Sequence, residues 1–185
     1  MSCFVLHTSE IAHWHALVNE ALAATHCSLS QAAESYLVFT LMRFTQRPVL
    51  GRRCLAAAYL EGLLKQGRDR QESLREVGDQ CLILTGFFPE YARRDVVPVS
   101  YYVRLGQSAY RVLAVQDRLF SQLSQAFVSL MEVLQNIREM DEGRRCLGPL
   151  EAYELWLATG SRHAYRVLKE ATTAVPASSM TYRAH

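Results

Sequence analysis

Lysine is scarce in this chain: it occurs only at Lys65 and Lys169, so arginine supplies 18 of the 20 basic residues. Such a bias can follow genome base composition, and arginine is also the better residue for holding carboxylates and phosphates in a fixed geometry. An excess of charge of one sign is lacking too. The net charge is +2, so bulk charge does not mark a polyanion binder and any such argument must rest on clustering. No C-x-x-C pair occurs: Cys3, Cys27, Cys54, Cys81 and Cys146 are widely spaced and odd in number. That spacing argues against a disulfide framework and for reduced thiols in a cytosol. The amino terminus, MSCFVLHTSEIAHWHAL, has no basic segment leading into a long apolar core, so no secretory signal is expected. No run of about twenty apolar residues is present to cross a bilayer. The chain is therefore expected to be soluble and cytoplasmic, with no membrane partner.

Chemical signatures are missing as well. There is no G-x-x-x-x-G-K-[ST] loop and no G-x-G-x-x-G after a strand, which removes the simplest nucleotide-binding readings. Gly106, Gln107, Ser108 and Ala109 resemble a nucleophile elbow only superficially, without the second glycine or the preceding strand. Glu10 and His13 have the E-x-x-H spacing that forms half of a di-iron site in a helical bundle, but no second E-x-x-H follows. No metal, cofactor or catalytic residue is assigned from the sequence, and an enzyme is the less favoured reading. Internal repeats, low-complexity linkers and long alternating strand patterns are absent too.

What is present is helical periodicity. Hydrophobic residues make up 50% of the 185 residues and charged residues 21%, ordinary globular values, and a chain of this length buries about 70% of its unfolded surface. The pattern predicts an all-α, single-domain bundle of six to seven helices over residues 1–174, with a flexible tail at 175–185. Thr8 or Ser9 is a possible cap for a first helix running to about His26. Ser28 and Gln31 form a capping-box candidate for a second. Leu55, Ala58, Tyr59 and Leu63 describe a third, ending near Gly67.

Residues 69–114 hold the densest information. Asp69 and Glu72 are spaced like a capping box, and Leu74, Val77, Cys81, Leu84 and Phe88 recur at three and four residues, one face of a helix. Pro89 should end it, 90–98 reads as a connection, and Tyr101, Tyr102, Leu105, Ala109, Val112 and Leu113 begin the next helix. Gly106 can permit a close approach. That fifth helix is expected to continue through Leu119, Leu123, Phe127, Leu130, Leu134 and Ile137 to a stop near Gly143. Pro149 and Gly160 bracket a sixth, and a seventh follows from Ser161 to about Thr173. Within this region FFPEYARR followed by VSYYVRLGQSAYRVLA resembles a segment of uncharacterised bacterial helical proteins. The resemblance spans under a third of the chain and implies no activity.

Three surfaces stand out. Phe87, Phe88, Glu90, Tyr91, Tyr101, Tyr102 and Tyr110 gather at an aromatic elbow that is either a binding surface or ordinary core. Glu90 there is either paired with Arg93 or Arg94, or buried and shifted toward acid–base work. Arg43, Arg47, Arg52 and Arg53 surround a turn with no Asp or Glu between Glu34 and Glu61. They could grip phosphates or an acidic partner, or simply pair with glutamates elsewhere. Leu119, Leu123, Phe127, Leu130 and Leu134 form a possible dimer seam. The leading reading is a non-catalytic regulatory or adaptor protein, homodimeric, acting on a protein partner. The alternatives are a small-molecule sensor or enzyme with a pocket lined by Tyr36, Tyr101, Tyr102 and Tyr110, and nucleic-acid or acidic-partner binding through the arginines.

Overall fold

The computed structural model describes residues 2–46, 54–94, 97–143 and 145–171, with the backbone alone for residues 2–9 and 92–94. Arg47, Arg52, Arg53 and the expected tail lie outside the described residues. The described chain is helical, without strands: α1 (Ser2–Thr25), α2 (Gln31–Gln46), α3 (Leu55–Leu64), α4 (Gly67–Phe87), α5 (Pro89–Arg94), α6 (Val99–Leu113), α7 (Arg118–Gln125), α8 (Phe127–Glu142), α9 (Pro149–Thr159) and α10 (Arg162–Ala171). Central α4 packs against α3, α6 and α8, and the apolar stripes of nearly all the helices meet in one continuous core.

The all-α class is as expected; the number of helices is not. Pro89 begins a short helix, α5, where a connection was expected, because a first-turn position has no use for the missing N–H. The single long fifth helix is instead α6, α7 and α8. Asp117 makes the first break. Its backbone is extended and its carboxylate accepts from the Leu119 N–H at 2.8 Å, the geometry of an N-cap. Ala126 makes the second, serving at once as the end of α7 and the start of α8.

Three further starts also differ. At α2 the cap is Ser30, whose hydroxyl accepts from the Ala33 N–H at 3.3 Å, rather than Ser28. At α4 the cap is Gln66, with no side-chain bond. Asp69 sits inside its first turn, and Glu72 accepts from Arg68 at 3.0 Å instead of closing a capping box. Helix α1 runs back past Thr8 and Ser9. It ends at His26, in left-handed conformation at φ 51°, with the Cys27 N–H bonded to the Leu22 carbonyl at 3.2 Å, a pattern that satisfies a terminal carbonyl.

The proposed dimer seam is corrected by burial. Leu123, Phe127, Leu130 and Leu134 are fully enclosed in the chain's own core, and Leu119 packs against it. Their rhythm serves the interior, so none of the four is free to meet a second copy.

Polar contacts set how the rods cross. A Cβ at Gly106 of α6 would stand 2.5 Å from the Phe127 ring and 2.8 Å from Cys81 Cβ, so glycine there permits α6 to approach its neighbours. The Thr85 carbonyl of α4 would normally accept from the N–H four residues on, but that residue is Pro89. The Gln135 amide of α8 donates to it instead, at 2.9 Å. Arg138, two turns after Met131 on α8, donates to the Phe87 carbonyl and grips both carboxylate oxygens of Glu90, at 2.7 and 3.0 Å.

Helix α8 also holds α10. Glu132, 4% exposed, accepts from the Ser161 hydroxyl at 2.7 Å and the His163 N–H at 3.3 Å. Two turns on, Glu139 Oε1 accepts from the Cys146 N–H at 3.0 Å and lies 3.2 Å from His163 Nε2. The Ser161 hydroxyl in turn accepts from the Ala164 N–H at 3.1 Å and caps α10. Gly160, at φ 70°, makes the preceding turn where glycine is the least strained residue.

Candidate functional site

The most unusual group in the interior is Asp79, a carboxylate on the inner side of α4 that is 6% exposed. A charge there requires partners, and three helices supply them. The Tyr36 hydroxyl of α2 donates to Oδ1 at 2.5 Å and the Tyr110 hydroxyl of α6 to the same oxygen at 2.7 Å. Arg43, two turns beyond Tyr36 on α2, donates to Oδ2. Arg75 Nε, one turn back on α4, lies 3.9 Å from Oδ2. Gly78 makes the approach of Tyr110 possible, because a Cβ at that position would overlap the tyrosine ring. Tyr36 and Tyr110 also pack against Phe120, with ring centroids 5.9 and 5.7 Å away.

Burial raises the carboxyl pKa of Asp79, and Arg43, Tyr36, Tyr110 and Arg75 each pull it back without fully offsetting the burial. The same burial, with Asp79 alongside, pushes both phenols upward. They therefore stay protonated and remain donors across the whole ordinary pH range.

Outside this node α2 and α4 stand apart, leaving a cleft of about 490 Å³ lined by Thr40, Arg43, Phe44, Arg75, Asp79 and Ile83, among others. The side chains of Arg43 and Arg75 are 45% and 46% exposed, so each is tethered toward Asp79 at one side and open to the cleft at the other. Among the described residues, three arginines and three carboxylates line the cleft. Arg68 and Glu72 answer one another at the rim, while at the floor two guanidinium groups share a single carboxylate. A second hollow of about 400 Å³ adjoins across Arg68, Glu72 and Arg75.

The structure separates the residues of the expected elbow into three places. Phe87, Phe88, Glu90 and Tyr91 form the α4–α5 corner, where Phe88 packs at a tilt against Phe44 with centroids 5.8 Å apart and Arg138 lies 5.9 Å over the Phe88 ring. Glu90 pairs there with Arg138, a partner that neither sequence alternative named. Tyr101 and Tyr102 neighbour each other at the start of α6, one exposed and one buried. Tyr110 lies roughly 12 Å further along that helix, fully buried on Asp79. The four tyrosines proposed to line one pocket thus serve two locations.

Of the arginine patch, Arg43 alone falls among the described residues, and it faces Asp79. Sequence reading missed Asp79 and Arg75. The available signal was an acid beside a glycine, Gly78-Asp79, inside the apolar stripe of Val77, Cys81 and Leu84. No protein-family model, curated protein or solved structure matches the chain.

Proposed function

We propose that this chain is a non-catalytic adaptor that receives an acidic, partly apolar segment of a protein partner in the cleft between α2 and α4. The observation that carries the reading is the sharing of one buried carboxylate by Arg43 and Arg75. Arg43 is hydrogen-bonded to Asp79 and Arg75 lies within ion-pair reach of it at 3.9 Å, while both line the cleft and keep nearly half of their side chains exposed. Preset guanidinium groups lose little freedom when they bind a carboxylate, which favours affinity. Phe44, Ile83 and the methyl of Thr40 offer an apolar wall for a neighbouring side chain of the partner. Acid–base catalysis is disfavoured because Asp79 already accepts from three donors and its phenol partners are held protonated.

A peptide array probed with the purified chain tests this. Peptides combining Asp or Glu with an aliphatic or aromatic residue should be retained over their Lys-substituted counterparts, with affinity falling as salt rises. Arg75→Gln should weaken that binding about tenfold, the loss of one charge-assisted contact, while leaving the helical circular dichroism intact. Retention that ignores peptide charge, or that survives Arg75→Gln unchanged, overturns the reading. The volume of the cleft also suits a small molecule. Displacement of bound peptide by a short fatty or aromatic carboxylate would favour that second reading.

A further inference from the structure

We propose that Glu139, Cys146 and His163 form a binding site for a divalent transition metal of the zinc type, far in sequence and chemistry from the α2/α4 cleft. The three residues come from α8, from the turn before α9 and from α10, and each brings one ligand atom; these atoms all lie within 4.8 Å of one another. Glu139 Oε1 is 3.2 Å from His163 Nε2 and 3.4 Å from Cys146 Sγ. A tetrahedral zinc ion with bonds of about 2.0 to 2.3 Å sets its ligand atoms about 3.3 to 3.6 Å apart. Both measured edges, which share Glu139 Oε1, fall within a few tenths of an ångström of that spacing, and the third, between His163 and Cys146, is no longer than 4.8 Å.

The ligand set selects the ion. A thiolate, an imidazole and one carboxylate suit Zn²⁺ or Co²⁺, whereas Mg²⁺ and Ca²⁺ take oxygen ligands throughout. Three protein ligands leave a fourth position for water or for a group from elsewhere. The Cys146 N–H, bonded to Glu139 Oε1 at 3.0 Å, would orient the carboxylate from outside the ligand set, as groups around metal sites commonly do.

Protons must move for the metal to enter. Arg166 Nη2 lies 2.9 Å from His163 Nδ1, and a guanidinium can only donate, so Nδ1 accepts and the ring proton sits on Nε2. Metal binding uses the Nε2 lone pair, moves that proton to Nδ1 and turns the exposed Arg166 away. Cys146 gives up its thiol proton to solvent, so one proton is released per metal ion. Arg166 is thus a competitor of the metal.

Titration of the chelator-treated full chain with Co²⁺ alone tests the site. The expected result is saturation at one equivalent with a thiolate-to-cobalt charge-transfer band, displaced on adding Zn²⁺. Cys146→Ser should abolish the band, and Arg166→Ala should keep it and bind more tightly. The absence of a charge-transfer band in the wild-type protein overturns the proposal, because the three side chains would then be a hydrogen-bonded latch only. A band that survives Cys146→Ser overturns it too, since another cysteine would be the ligand. If Cys146→Ser fails to fold, X-ray absorption at the zinc edge of the wild-type protein decides: one sulfur with nitrogen and oxygen neighbours supports the site, and a shell of oxygen alone refutes it.

Discussion

Tyr110 spends a fully buried phenol on one acceptor, Asp79 Oδ1. A hydrogen bond to a charged group contributes about 1.5 to 3 kcal/mol, so Tyr110→Phe should lower the unfolding free energy by about that amount in urea melts. The ring keeps its packing against Phe120 and Phe127, so the loss isolates the hydroxyl. Asp79 itself gives a pH test. Because burial raises its folded pKa, the folded chain keeps this proton to higher pH than the unfolded chain. The carboxyl's contribution is then complete below its unfolded value of about 3.9 and is lost as pH rises through the folded value. The stability of wild type relative to Asp79→Asn should therefore fall as pH rises from the acid end toward neutrality, as read from urea melts across that range. A relative stability of wild type that instead grows with pH would show that Arg43 outweighs burial. Only Asp79, an acid inside an apolar stripe, left a sign in the sequence, and its partners did not: Tyr36 and Tyr110 stand 43 and 31 residues away, and a single sequence carries no sign of which distant side chains meet.

At the scale of the helices, what was legible was local. Pro149 at the first position of α9, and Gly143 and Gly160 at left-handed stops, are constraints of one residue on its own backbone, so they mark boundaries without knowledge of the fold. The apolar stripe of α4 was legible for the same reason: Leu74, Val77, Cys81 and Leu84 are all buried. The joints at Asp117 and Ala126 were not. The stripe of α6 continues in phase into α7 and α8, and periodicity cannot see a bend that preserves phase. Gly106 belongs to this scale, because what it controls is how closely α6 meets α4 and α8. Gly106→Ala places a methyl against Phe127 and Cys81 and should cost about 1 to 3 kcal/mol by overpacking, more than the better helix propensity of alanine returns. A variant at least as stable as wild type in thermal melts would show that those neighbours yield.

For the whole molecule, the heptad-like run was ambiguous in principle, since a core stripe and a dimer seam look alike in sequence. Burial separates them. Leu123→Glu should abolish the cooperative thermal transition of the chain, because it places a charge among fully enclosed side chains. A folded, merely dissociated protein would restore the seam. Burial also distinguishes two sets of charged groups. Arg43 and Arg75 of the α2/α4 cleft are half in solvent, whereas the α8–α10 contact encloses His163 and Glu132 almost completely.

The amide of Gln135 replaces a proton that Pro89 cannot provide, which makes these two positions answerable to each other across evolution. Related chains that retain the proline should retain glutamine, or another donor of similar reach, at the position of Gln135. Lineages that drift to a different residue at position 89 become free to turn 135 apolar, so the pair should covary even though no bond joins their own side chains.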